Sequence, residues 1–206
     1  MDKKHIWSTI HAERKALAAD LETVKDAEWQ TPSLCEGWSV RDVLAHMTGT
    51  AQMTMTKFFP KLITSGFSLP KLQQKDIERI NQGDTLAAFK AELSSTASPP
   101  GPTMTWLGET LVHGDDIRRP LGITHAYLPE AAAAVADSYK GSNLVLGAKK
   151  RIAGVTLKAT DINWTHGSGP EVTGPIMPLV MVMAGRKAAL ADLAGDGVAT
   201  LAGRFS

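Results

Sequence analysis

At 206 residues the chain can bury a full core and form one domain or two unequal ones. Its 22 basic and 21 acidic residues leave a net charge of +1, and no basic run exceeds Lys149-Lys150-Arg151, so nucleic acid is not an expected partner. The single cysteine, Cys35, rules out an internal disulfide; with no signal-peptide pattern after Met1 and no apolar stretch of spanning length, the expectation is a cytoplasmic protein without a membrane partner.

Apolar residues at helical spacing (Ile6, Ile10, Leu17, Leu21, Val24) predict a first long helix. Pro32 and Gly37 break the pattern; Ser39, with Asp42 three residues on, is a capping-box arrangement that opens a second helix running to about Phe58. The apolar stripe of that helix is Val40, Val43, Leu44, Met47 and Ala51, and His46 lies at its edge. Pro60 to Pro70 reads as a loop. A third helical stretch covers Leu72 to Leu93, with a fresh start at Asp84, an N-cap residue. After a Ser/Pro/Gly linker, a fourth helix runs from Thr103 to just before Pro120, and an alanine-rich fifth runs from Pro129 to about Leu146.

Beyond Gly147 the texture changes. Val155 to Thr160 alternates like a strand, and Gly167-Ser168-Gly169-Pro170 is a tight connection to Glu171-Val172-Thr173, so a β-hairpin is the simplest pairing. A helix from Gly174-Pro175 to Gly185, a short helix over Arg186 to Leu193 and a closing strand at Val198 to Leu201 complete the chain. The expected fold class is α+β, mainly α: a helical bundle over residues 1–148 and a small α/β unit over 149–206.

Glu109 and His113, four apart, project from one face of the fourth helix. With His46 from the second helix they make a set of two imidazoles and one carboxylate. Such a set leaves a coordination position open, the pattern of catalytic rather than structural zinc, and is also the donor set of non-haem iron sites. A solvated helix face is the competing account of the Glu109/His113 pair. Asp116, one turn past His113, is placed either to orient an imidazole or to pair with Arg119. Cys35 precedes a helix N-terminus, where a thiolate is stabilised, but no histidine is near it in sequence and loop packing is the favoured account. The order His166-Gly167-Ser168-Gly169 is not a nucleophile elbow and reads as a turn. Arg186, just after an apolar helix, suits a bidentate clamp on a carboxylate, or compensation of a helix end.

Three blocks in order carry a resemblance: Leu34-Cys-Glu-Gly-Trp-Ser-Val-Arg-Asp-Val-Leu-Ala-His46, the run Gly108 to Gly122, and Thr160 to Pro175. Together with Ala184 to Leu190 and Leu193 to Val198, they resemble the mycothiol-dependent maleylpyruvate isomerase family of actinobacteria, within the DinB-like superfamily. The resemblance covers nearly the whole chain except Phe58 to Thr103. It implies a DinB-like four-helix bundle, a C-terminal domain similar to sterol-carrier proteins, and a divalent metal, usually zinc, on His46, Glu109 and His113. It further implies mycothiol at the open metal position and Arg186 on a substrate carboxylate. A metal-activated thiol that adds to a conjugated double bond and then leaves would isomerise it; a thiol that stays would make the enzyme an S-transferase. Two other readings compete: a small-ligand or lipid-binding module built on the apolar stretch Ile176 to Met183, and a zinc-assisted hydrolase with Asp116 as general base.

Overall fold

The computed structural model describes residues 1–143 and 146–205. Its helices are α1 (Lys3–Asp20), α2 (Val40–Gln52), α3 (Met55–Thr64), α4 (Leu69–Asn81), α5 (Thr85–Lys90), α6 (Thr103–Arg118), α7 (Pro129–Tyr139), α8 (Ala148–Arg151), α9 (Ile176–Met183) and α10 (Val198–Ala202). Its strands are β1 (Thr156–Ala159), β2 (Thr165–Gly167) and β3 (Glu171–Gly174). The chain divides into two compact units, Asp2–His125 and Ala126–Ser206. The division falls earlier than the 148/149 boundary expected from texture, because α7 packs on α9. The buried residues of α7, Ala131, Ala132, Val135 and Ala136, offer only small side chains, so the helix alone does not announce which core it joins.

In the N-terminal unit α6 packs on α1 and α2, and α2 also packs on α4 and α5. Leu17 and Leu21 of the first segment, Val40, Val43, Leu44 and Met47 of α2, Phe89 of α5 and Ile117 of α6 form one buried cluster. The expected capping box is present: the Ser39 hydroxyl accepts from the Asp42 N–H, and the Asp42 carboxylate accepts from the Ser39 N–H at 3.0 Å. Asp84 caps α5 as expected, accepting from the Ala87 N–H at 2.9 Å. The second helix, however, stops at Gln52, and Thr54 caps a separate α3 by accepting from the Lys57 N–H at 3.3 Å. This helix occupies part of the stretch expected to be loop. Pro60 lies inside it and removes one backbone donor, and the helix ends four residues later.

A buried ion network ties α1 to α6. Arg118, 1 % exposed, donates from Nε to Asp20 Oδ2 at 2.7 Å and lies 3.8 Å from Glu13 Oε2, which His125 Nε2 contacts at 2.9 Å. Truncating the arginine leaves the buried Glu13 carboxylate without its guanidinium. Arg118→Ala is expected to lower the unfolding free energy by about 3 kcal/mol, read in urea as a lower midpoint with an unchanged m value.

In the C-terminal unit α9, buried along its whole length, is the centre on which α7, α8 and β1 pack. The sheet order is β2-β1-β3, with β1 antiparallel to β2 and parallel to β3. The expected hairpin therefore forms with Thr165–Gly167, and Glu171–Gly174 crosses to the other edge of β1. Glycine makes this crossing possible: a Cβ on Gly167 (φ +95) would stand 2.2 Å from the Val155 carbonyl oxygen, and one on Gly169 (φ +120) 2.3 Å from that of Gly154. The expected closing strand at 198–201 is instead α10. β3 gains only a single bridge, Thr173 to Ala194, before the chain turns at Gly195 and Gly197. The fifth helix ends at Tyr139, short of the expected Leu146; residues 144 and 145 lie outside the described residues.

Candidate metal centre

Two neighbouring helices supply the expected ligands, His46 from α2 and Glu109 and His113 from α6. His46 Nε2 stands 3.8 Å from Glu109 Oε1, and the His46 and His113 rings meet edge to face with centroids 5.0 Å apart. The other side of His46 is covered by Trp38, with ring centroids 5.1 Å apart. Ligand atoms on a tetrahedral zinc with bonds of about 2.0–2.2 Å lie about 3.3–3.6 Å apart. The His46–Glu109 separation of 3.8 Å thus differs from that by only a few tenths of an ångström.

Behind His113 lies a second cluster that the sequence did not bring together. The 31–39 loop is closed by a bridge between Pro32 and Ser39 and docked on α6 by the Leu34 N–H, which donates to the Asp116 carbonyl at 3.3 Å. This seats Cys35 over α6. Its thiol donates to Asp116 Oδ2 at 3.0 Å, the same oxygen that His113 Nδ1 reaches at 2.9 Å, and the sulfur lies 3.5 Å from that nitrogen. Among the described residues, Cys35, His113 and Asp116 are the group whose ligand atoms all fall within 4.8 Å of one another. Asp116, fully buried, thus pairs with the imidazole, and Arg119 bonds Asp115 at 2.8 Å. Loop packing alone does not describe Cys35. Its partners are 78 and 81 positions away, so no local signal could have revealed them.

Burial and charge set different states on the two histidines. Burial, aided by the charge of His113, holds His46 down at about 3, so it is neutral and its lone pair is available to a cation. For His113, burial works against the charged form, but the hydrogen bonds and charges of Asp116 and Cys35 outweigh it and push it up to about 10. Burial raises the Glu109 carboxyl, opposed by the charge of His113, a hydrogen bond from Thr50 and the charge of Arg14. A buried carboxylate beside a neutral imidazole offers an anionic oxygen and a free lone pair, a donor pair that fits a divalent cation, and a cation on His113 would take the place of its proton.

Arg186 lies in the C-terminal unit, where its Nη1 donates to the Ala184 carbonyl at 2.8 Å at the end of α9. Arg151 serves the same helix end, donating to the Met183 carbonyl at 2.6 Å; burial first, then the charge of Arg186, lowers its pKa. Sequence reasoning named Arg186 and passed over Arg151, which was visible only as the end of a short basic run.

A helical bundle with a buried histidine–carboxylate cluster on neighbouring helices, followed by a small α/β unit, is a DinB-like helical fold. Residues 10–93 match the mycothiol maleylpyruvate isomerase N-terminal domain. The fold is that of two solved structures: a mycothiol-dependent maleylpyruvate isomerase, with TM-score 0.64 at 14% identity, and a histidine-to-alanine mutant of the isomerase, with TM-score 0.65 at 14% identity. Each comparison covers 95% of this chain and 93% of the other. A comparison with curated proteins finds no match.

Proposed function

We propose that the chain is a metal- and mycothiol-dependent enzyme that isomerises a cis-unsaturated dicarboxylate of the maleylpyruvate type, with His46, Glu109 and His113 as ligands of a divalent cation, zinc by donor set. The observation that carries the reading is the largely buried His46–Glu109 pair at 3.8 Å, one ring away from His113, in a chain whose residues 10–93 match this family's N-terminal domain. The cation, when bound, supplies a Lewis acid that keeps a thiol deprotonated at neutral pH. The chain's own residues do the rest. His46 is neutral and buttressed by Trp38; Asp116 accepts a hydrogen bond from His113 Nδ1–H and leaves the other ring nitrogen for the cation.

The test is a turnover assay on maleylpyruvate with the zinc-loaded protein, with and without mycothiol. Trans product that requires both zinc and thiol, with the thiol recovered, supports the reading. Thiol retained in the product makes the protein an S-transferase, and thiol-free hydrolysis of an amide or ester makes it a hydrolase. A second ligand set is favoured by one observation, the tight grouping of Cys35, His113 and Asp116. Its 2.9 and 3.0 Å contacts are hydrogen-bond lengths, shorter than the roughly 3.3–3.6 Å between ligand atoms on a tetrahedral zinc, and support reading these groups as partners of His113.

A further inference from the structure

Five of the seven large apolar side chains that stand exposed among the described residues, Met55, Phe59, Ile63, Phe67 and Leu69, fall in one short stretch of chain. Met55, Phe59 and Ile63 are four apart on α3 and share one face, and no residue of α3 is buried. The helix closes through two left-handed residues, Gly66 (φ +65) and Phe67 (φ +58). A bulky aromatic at positive φ is strained, and here burial returns nothing for that strain, since Phe67 is 74% exposed.

Charge singles out the same stretch. No acidic residue lies between Asp42 and Asp76, while Lys57, Lys61, Lys71 and Lys75 do. Lys61 is paired with Asp76. The ammonium groups of Lys57 and Lys75 donate to the carbonyls of Gln52 and Thr64, contacts that hold the side chains without neutralising them. A chain of net charge +1 therefore concentrates positive charge around its most exposed apolar face.

We propose that α3 and the turn that follows it form a peripheral docking surface for an anionic lipid bilayer. An amphipathic helix with aromatic and aliphatic residues on one side and flanking lysines is what lies in the headgroup region of such a surface. A second copy of this chain is disfavoured as the occupant, because it would bring the same lysines together. No described helix is long and apolar enough to cross a membrane, so the contact is with the surface only. The expectation of no membrane partner came from the lack of a span, which does not bear on surface docking. The proposal is independent of the metal centre.

The test is co-sedimentation of the full chain with phosphatidylcholine vesicles, with and without phosphatidylglycerol. The native chain is expected to sediment with the anionic vesicles only and to be released by salt. The exposed pairs Phe59→Ser with Phe67→Ser, and Lys57→Glu with Lys71→Glu, are each expected to weaken binding about tenfold or more, with unchanged circular dichroism. Equal partition onto both vesicle types, no partition onto either, or native-like binding by either double variant overturns the proposal. So does a dimer in sedimentation velocity that the phenylalanine pair abolishes, which would make the occupant a second copy. Competition by polyglutamate as effective as by anionic vesicles would make it an acidic polypeptide.

Discussion

Glu109→Ala is expected to leave the purified protein without bound metal while the native chain takes up about one equivalent of zinc. Removing a ligand should cost more than the roughly 10- to 100-fold in affinity that follows loss of a group behind a ligand. Thiol-dependent turnover should fall to background with it. The fold itself should not suffer, and the reason lies in the carboxylate's surroundings. Burial already raises the Glu109 carboxyl, so in metal-free protein this side chain is a desolvated group held by Thr50, Arg14 and His113 rather than a stabilising one. Thermal unfolding separates the two effects. Zinc at about a thousandfold excess over its dissociation constant should stabilise the native chain by about 4 kcal/mol, whereas the variant should melt at one temperature with or without zinc. A zinc-dependent shift that survives Glu109→Ala would move the cation away from this carboxylate.

The parts of the fold that the sequence discloses are those with local causes. Ser39 with Asp42, Asp84 before α5, and the Thr103 start of α6 each act within one helical turn, and each stands where expected. The parts that were hidden depend on distant partners. Nothing within Thr165-His166-Gly167 says that it, rather than Glu171-Val172-Thr173, is the antiparallel neighbour of β1, because the choice is made by backbone clearances at Gly167 and Gly169. The small buried side chains of α7 fit either core, so its allegiance to α9 had no signature. Pro60 suggested a loop, but Thr54 caps the helix that contains it and Ser68 caps the next one. In the candidate centre, the i,i+4 pair Glu109/His113 and the edge position of His46 were legible because helix periodicity alone orients them. The role of Cys35 was not, because the loop that carries it is positioned by α6.

Asp116→Asn and Cys35→Ala together decide what the groups behind His113 do. If His46, Glu109 and His113 hold the cation, Asp116 acts by accepting the hydrogen bond from His113 Nδ1–H, and Cys35 acts by donating to the same Asp116 oxygen. Asp116→Asn keeps the shape but removes the charge, and zinc affinity is expected to fall roughly 10- to 100-fold. Cys35→Ala removes one hydrogen bond to a buried carboxylate that retains its imidazole partner, so it should weaken zinc by about tenfold at most, and Cys35→Ser, which still donates, should recover most of the loss. His46→Ala should abolish binding. If instead Cys35, His113 and Asp116 were the ligands, the order would invert: Cys35→Ala would lose the metal, and His46→Ala would keep it. Cobalt substitution gives a readout that a packing defect cannot imitate. A sulfur-to-cobalt charge-transfer band in the thiol-free native protein, absent from Cys35→Ala, would make the cysteine a ligand. Its absence from the native spectrum, with a band appearing only when mycothiol is added, would place the small-molecule thiol and not Cys35 on the ion.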